Sequence, residues 1–244
     1  MIYFYNMLMN KYKLIVPAVM FLLAATAWGQ PKLEASPSEF DFGFTVKDAA
    51  ITTGLWLKST GTDTVNISEI KTGCECTTIP LETKRIAPGD SIEVFIRWET
   101  ERTFGQVKRY PRFYYDNAPH ELRFGLKANV LNMHDSIGMA ISVWPYRFEF
   151  GRHASISVDS MAFKLKNVLD GRIRPSLAGH VPEQCVFVLP EVIPAKGEAW
   201  GYIKIKNEYL DQEFDNSITL KFNHNDKYFI TVPIRRKVYK SQMN

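Results

Sequence analysis

The chain has 244 residues, of which 45% are apolar and 13% aromatic, and a formal net charge of +4. Thirty basic residues against 26 acidic ones leave a charge too small and too dispersed for a nucleic-acid surface. The only local basic run, Arg235-Arg236-Lys237 with Lys240, reads as a solvated strand end.

At the N-terminus, Lys11 and Lys13 precede an unbroken apolar stretch, Leu14 to Ala25, and then small residues up to Gly29, which is the order of a secretory signal. The stretch is shorter than the ~20 residues that cross a bilayer. Residues 1–29 are therefore expected to be cleaved, leaving no transmembrane anchor. No cysteine stands at that site for lipid attachment, so a periplasmic or secreted chain of 215 residues (244−29) is expected, long enough for two cores.

Beyond that segment the sequence repeats at an offset of 108 (151−43): Phe40-Asp41-Phe42-Gly43 returns as Phe148-Glu149-Phe150-Gly151, and Leu55-Trp56-Leu57-Lys58 as Phe163-Lys164-Leu165-Lys166. The same offset carries Gly89-Asp90 onto Gly197-Glu198 and Val94-Phe95-Ile96 onto Tyr202-Ile203-Lys204. In the first unit, strands are predicted near Phe40–Phe44, Gly54–Ser59, Thr64–Ile70, Ser91–Trp98, Gln106–Tyr115 and Glu121–Val130, with turns at Ser59-Thr60-Gly61-Thr62 and Ala87-Pro88-Gly89-Asp90. Alternation from Ile92 to Trp98 puts Ile92, Val94, Ile96 and Trp98 on one buried face. In the second unit, strands are predicted near Val143–Phe150, Met161–Val168, Ile173–Leu177, Val186–Leu189, Ala199–Lys206, Ser217–Phe222 and Tyr228–Val238. The expected fold is all-β, two tandem immunoglobulin-like β-sandwiches at residues 30–131 and 141–244, joined by a short polar linker at 132–140 that fixes their angle.

Cys74 and Cys76 lie one residue apart, and Cys185 is the only other cysteine. In a regular strand the paired Cα atoms would stand about 6.7 Å apart, so a disulfide between them requires a local turn. Three readings stay open: two small side chains packed at a core, a reducible disulfide, or soft-metal binding through two thiolates. Glu75 between the thiols argues against a strongly activated nucleophile, and Cys185, beside Val186-Phe187-Val188-Leu189, reads as core.

These residues also carry a resemblance. Phe40-Asp41-Phe42-Gly43, Gly61, Gly73-Cys74-Glu75-Cys76-Thr77, Pro88-Gly89-Asp90 and Asp116-Asn117 make the first unit, Phe40 to about Val130, similar to the domain of unknown function 1573. That is a family of bacterial extracytoplasmic immunoglobulin-like domains related to the ASH, MSP and HYDIN-type sandwiches. The resemblance implies a fold and a compartment and no established activity. Here Gly73 stands for the family's Ser and Glu75 for its middle Gly, a residue that disfavours a positive-φ turn at that position.

The five histidines are scattered, and no Gly-x-Ser-x-Gly, His-Glu-x-x-His or phosphate-cradling loop is present, so neither enzyme activity nor a cofactor is expected. Trp56 and Trp98 read as packed within strands, whereas Trp144-Pro145-Tyr146 reads as a contact surface, with Trp144 and Tyr146 its candidate residues. The expected function is an exported, non-catalytic module binding a protein or an envelope component. The alternatives are a thiol redox or metal protein using Cys74 and Cys76, and a chaperone-like strand donor.

Overall fold

The computed structural model describes residues 29–116, 120–132, 139–153, 156–224 and 228–239. Nearly all of the expected signal segment lies outside the described residues, as do positions 133–138 of the linker, His134 and Lys240.

The protein is all-β. Its first eleven strands are β1 (Leu33–Ser36), β2 (Glu39–Val46), β3 (Ala50–Ser59), β4 (Val65–Lys71), β5 (Thr77–Thr78), β6 (Arg85–Ile86), β7 (Ser91–Glu99), β8 (Gly105–Arg109), β9 (Arg112–Tyr115), β10 (Glu121–Arg123) and β11 (Gly125–Leu131). The other nine among the described residues are β12 (Ile141–Trp144), β13 (Phe148–His153), β14 (Ile156–Val158), β15 (Ser160–Asn167), β16 (Pro175–Ala178), β17 (Cys185–Val188), β18 (Glu198–Ile205), β19 (Phe214–Phe222) and β20 (Tyr228–Tyr239). The predicted strands are found with several corrections. Gln106–Tyr115 divides at Tyr110-Pro111, because proline supplies no ladder donor; Glu121–Val130 divides at Phe124; and Val143–Phe150 divides at a cis Trp144–Pro145 bond. The short strands β1, β5, β6 and β14 escaped the pattern, having too few residues to show alternation.

Two outer four-stranded sheets, β1-β3-β7-β5 and β12-β15-β18-β17, flank a longer sheet ordered β14-β13-β20-β2-β11-β8, to which β19 and β16 are added through β20, and a further four-stranded sheet, β10-β9-β4-β6, belongs to the first half. Each outer sheet contributes to its own core. Leu55, Leu57, Val94, Ile96 and Trp98 meet Phe42, Leu126, Val65 and Phe113 in one cluster, and Phe163, Leu165, Ile203 and Ile205 meet Phe148, Phe150, Leu220 and Ile234 in the other. In β7, Val94, Ile96 and Trp98 are buried as the alternation predicts, with Ile92 partly so.

The ladders recur at the offset read from the sequence. Phe40 opposes Leu126 in the parallel pair β2–β11, and Phe148 opposes Ile234 in β13–β20, both displaced by 108 (148−40 and 234−126). Leu33 opposes Ser59 as Ile141 opposes Asn167, and the cis Ser36–Pro37 bond returns as cis Trp144–Pro145. One stretch corrects the sequence alignment. Leu55 opposes Val94 whereas Phe163 opposes Gly201, an offset of 107 (201−94), so buried Val94 corresponds to buried Gly201 and not to exposed Tyr202. The slip enters at the preceding turn, where Lys196 (φ 47) takes the left-handed place of Gly89 (φ 84).

The basic run near the C-terminus is also corrected. Arg236 is fully buried, paired with Asp159 at 2.8 Å and donating to the carbonyl of Leu210, while Arg235 pairs with Asp215 at 2.8 Å. In a strand with period two, consecutive arginines face opposite ways, so the run contributes one buried cation rather than a solvated patch.

The two cores are tied together where β2 meets β20. Gly43 (φ 61) sits where the register between β2 and β11 shifts, its N–H donating to Asp41 Oδ1 at 2.8 Å, and Phe44 pairs in parallel with Ile230. A Cβ on Gly43 would stand 2.0 Å from the carbonyl oxygen of Phe229. Gly73 is also left-handed (φ 81) but has no atom within 4 Å of its Cβ position. We therefore expect Gly43→Ala to cost more than about 2 kcal/mol and to split a single urea transition into two, whereas Gly73→Ala costs about 1 kcal/mol, the backbone strain alone.

Candidate functional site

Two places differ chemically from their counterparts in the other half of the repeat. The first is the turn between β4 and β5, where Cys74 and Cys76 are joined by a disulfide with Cα atoms 5.2 Å apart. The chain is not extended here: the Thr77 N–H turns back to the Cys74 carbonyl at 3.4 Å, and Thr72 Oγ1 donates to the same carbonyl at 2.9 Å. The left-handed residue of this turn is Gly73, so Glu75 is accommodated, exposed, without a positive φ. Both sulfurs lie near the buried Thr77 hydroxyl, Cys74 Sγ at 3.4 Å and Cys76 Sγ at 3.9 Å, and Cys76 leans on the first core.

The second half contains the same turn without the disulfide. Cys185 N–H bonds to the Pro182 carbonyl as Thr77 N–H bonds to that of Cys74, and Lys206 N–H bonds to the Gln184 carbonyl as Glu99 N–H bonds to that of Cys76. Pro182-Glu183-Gln184 thus occupies the place of Cys74-Glu75-Cys76, and the fold closes this turn with ordinary residues. A closed disulfide offers no thiolate, so soft-metal binding requires the reduced pair. His120, which only the fold could bring near, is stacked on Tyr115 at 5.5 Å. Among the described residues no group of three or more His, Cys, Asp or Glu side chains is arranged to hold a metal.

The second place is the outer face of β12-β15-β18-β17. Trp144 opposes Lys164, and Lys164 opposes Trp200, so the three form one row across three strands. Trp144 and Trp200 are 57% and 63% exposed, and Tyr202 beside them is 42% exposed. Tyr146 contacts the edge of the Trp144 ring, centroids 5.4 Å apart, and so limits its orientation. Lys164 pairs with Glu198 at 3.1 Å. Sequence reading found Trp144 and Tyr146 but not the row, because register is not legible before the strands are paired. It also read Trp56 as packed, whereas that side chain is 49% exposed on the outer face of β3; Trp98 is the buried one.

The matching face of the first outer sheet is partly covered by the second half, which reaches Thr52, Glu93, Phe95 and Arg97 and leaves Trp56 half exposed. Thr52 and Ser217 exchange hydrogen bonds at 2.8 and 3.0 Å, Arg97 donates to the Asp215 carbonyl at 2.8 Å, and His180 meets Glu93 at 3.8 Å and Phe95 edge-on. With the offsets of 108 and 107, the row Trp144–Lys164–Trp200 corresponds to Ser36–Trp56–Glu93, since Trp56 opposes both Ser36 and Glu93.

The fold is that of an immunoglobulin-like all-β sandwich protein. Residues 33–130 match the family described as protein of unknown function (DUF1573), the same stretch in which the resemblance was read. No curated protein matches the chain. Similar solved structures include a protein of unknown function from Porphyromonas gingivalis W83, with 11% identity and a TM-score of 0.36 over 84% of this chain and 99% of that one. The ASH/PapD-like domain 7 of human CEP192 has 18% identity and a TM-score of 0.32 over 41% and 86%. The YadV chaperone has 8% identity and a TM-score of 0.32 over 83% and 98%.

Cys185 lies in the second core, where burial pushes its thiol from 9.0 up to about 12. In the unfolded chain the thiol ionises near 9.0, while in the fold it stays protonated until about 12. Its contribution to stability is therefore full below pH 9 and lost as pH rises towards 12. We expect the urea midpoint to fall between pH 9 and 11 and Cys185→Ala to flatten that fall relative to the unmodified chain. For the turn, the double variant Cys74→Ser, Cys76→Ser is expected to lose less than about 2 kcal/mol, because the disulfide closes only a three-residue loop. A larger loss in thermal unfolding would make the disulfide structural.

Proposed function

We propose that the protein is an exported, non-catalytic binding module of two sandwich units, residues 30–131 and 141–244, whose binding surface is the outer face of β12-β15-β18-β17. The observation that carries this reading is the exposed row Trp144–Lys164–Trp200. Exposed aromatic side chains lose apolar hydration when covered and bring little conformational entropy to the contact, which suits them to binding. The matching strands of the first unit place Ser36 and Glu93 at the two ends of the row, with Trp56 between them, so sheet formation does not require a tryptophan at either end.

A cell-envelope component is the expected partner, consistent with the proposed export. The test is cosedimentation of the purified protein with envelope fragments from its own cell. Wild type is expected in the pellet, and Trp144→Ala with Trp200→Ala is expected to reduce binding about tenfold with an unchanged melting temperature. Equal sedimentation of both proteins would remove the face from the reading.

A second reading rests on the disulfide, which occupies a turn that its counterpart closes without one. In this reading Cys74–Cys76 exchanges electrons with a partner dithiol. A partner thiolate attacks one sulfur, the mixed disulfide is resolved by the partner's second thiol, and the products are the Cys74 and Cys76 thiols and an oxidised partner. Equilibration with glutathione buffers, read by alkylation and intact mass, is expected to show reduction within the range of known exchange proteins. A bond that stays closed below about −300 mV would identify a structural crosslink.

A further inference from the structure

The ligand class of the outer face follows from its charge and spacing, given the reading above that this face is the binding surface. Beside the aromatic row, Lys166 and Lys204 also point outward from β15 and β18, and Glu198 is the carboxylate on the same face. Three lysines against one glutamate leave a net charge of +2 (3−1), and among the described residues no carboxylate pairs with Lys166 or Lys204. Two interstrand steps separate the Cα atoms of Trp144 and Trp200 by about 10 Å, roughly the length of two linked pyranose rings. The row runs across three strands, with a cation between its two aromatic ends.

We propose that this face binds an anionic polysaccharide lying across β12, β15 and β18. The apolar C–H face of a pyranose carries partial positive charge and stacks on an indole face, which is negative. Trp144 and Trp200 would take alternate rings of the chain, two sugars apart. The lysines then meet carboxylates carried by the sugars, at distances where a surface cation still attracts an anion through ordinary salt. A protein partner suits the face less well. Lysine is depleted in protein interfaces and arginine enriched, and this face presents three lysines and no arginine. Where the corresponding face does meet protein, on the first outer sheet, the contacts are made by Arg97, Glu93 and Phe95, close-packed against Asp215 and His180. The free face has Lys204, Trp200 and Tyr202 in those three places.

Native gel electrophoresis of the full chain through gels containing polygalacturonate or alginate, with dextran as the neutral control, tests the inference. The expected result is retardation by the acidic polymers and not by dextran, weakened by added salt. Trp200→Ala is expected to raise the apparent Kd at least about tenfold, and Lys166→Glu with Lys204→Glu to abolish retardation, both variants melting as wild type does. Equal retardation of the Trp200→Ala protein would mean attraction by charge alone and would overturn the proposal. Equal retardation by dextran would overturn its anionic part. If no polysaccharide retards the protein but tryptophan-dependent envelope binding survives periodate and is lost to protease, the occupant is a protein: the inference fails while the binding-module reading stands. Concentration-dependent dimers that Trp200→Ala disperses would assign the face to a second copy and overturn it as well. If the tryptophans matter to neither envelope nor polysaccharide, both readings fail together.

Discussion

The arrangement of the whole molecule turns on one close approach of backbone to backbone, at Gly43. There β2 leaves regular register with β11, and the carbonyl of Phe229 occupies the space where a side chain would begin. Because that space is empty, Phe44 can pair with Ile230 and the Thr231 hydroxyl can donate to the Phe42 carbonyl at 2.6 Å. Gly151, at the matching position, keeps β13 in unbroken register with β20 and has no positive φ. The same Phe-Asp/Glu-Phe-Gly phrase thus serves two ends, a bulge that joins two cores in one copy and a plain strand in the other. Asp41 rather than Glu149 suits the bulge, since its shorter side chain reaches the Gly43 N–H two residues on.

Once β2 is held against β20, the polar contacts around the junction follow. Thr52 and Ser217 are both buried and satisfy each other, which removes the penalty of covering two hydroxyls. Arg97 lies between Glu99 at 2.7 Å and Asp215 at 3.6 Å, partly exposed, and contributes orientation more than stability. Buried hydroxyl pairs are directional, so they accept one alignment of the two cores and reject neighbouring ones. The linker therefore need not set the angle, since the contacts on either side of the junction already do.

Much of this was legible in the sequence wherever a strand has one wet and one dry face. The alternation from Ile92 to Trp98 gave a half-buried strand, and the repeat gave the doubled ladder, because equivalent positions meet equivalent packing demands. What escaped was pairing. A slip of one residue inverts the faces of a strand, so aligning Val94 with Tyr202 sets a core residue against a surface one, whereas the ladder Phe163–Gly201 sets it against buried Gly201. The row Trp144–Lys164–Trp200 escaped for the same reason, since its members lie 20 and 36 positions apart (164−144 and 200−164) and only the register unites them. The Cys74–Cys76 bond depended on whether residues 72–77 turn, and Thr72-Gly73 allowed a turn without requiring one. Arg236 was misread because a run of like charges says nothing about which member faces inward.

The repeat also explains why the two halves present different surfaces. Each half sends strands into the shared sheet and has an outer four-stranded sheet apart from it, and the first half has β10-β9-β4-β6 as well. Part of the first outer sheet is taken up by the junction: Thr52, Glu93, Phe95 and Arg97 on its outer face meet the second half, and Gly179 approaches Phe40 so closely that a Cβ there would stand 2.5 Å from its ring. Those residues are constrained by a neighbour that is always present. The second outer sheet has no such neighbour among the described residues, so no contact seen there calls for apolar groups, and exposed aromatic groups without a folding role are a liability for solubility. Two tryptophans, a tyrosine and two valines, Val186 and Val188, nonetheless lie exposed on this face, and these are the groups that the proposed binding role would use. The disulfide follows the same logic on a smaller scale. One copy of a turn carries a bond that the other copy does without, and the difference between two copies on one scaffold separates what folding requires from what it does not.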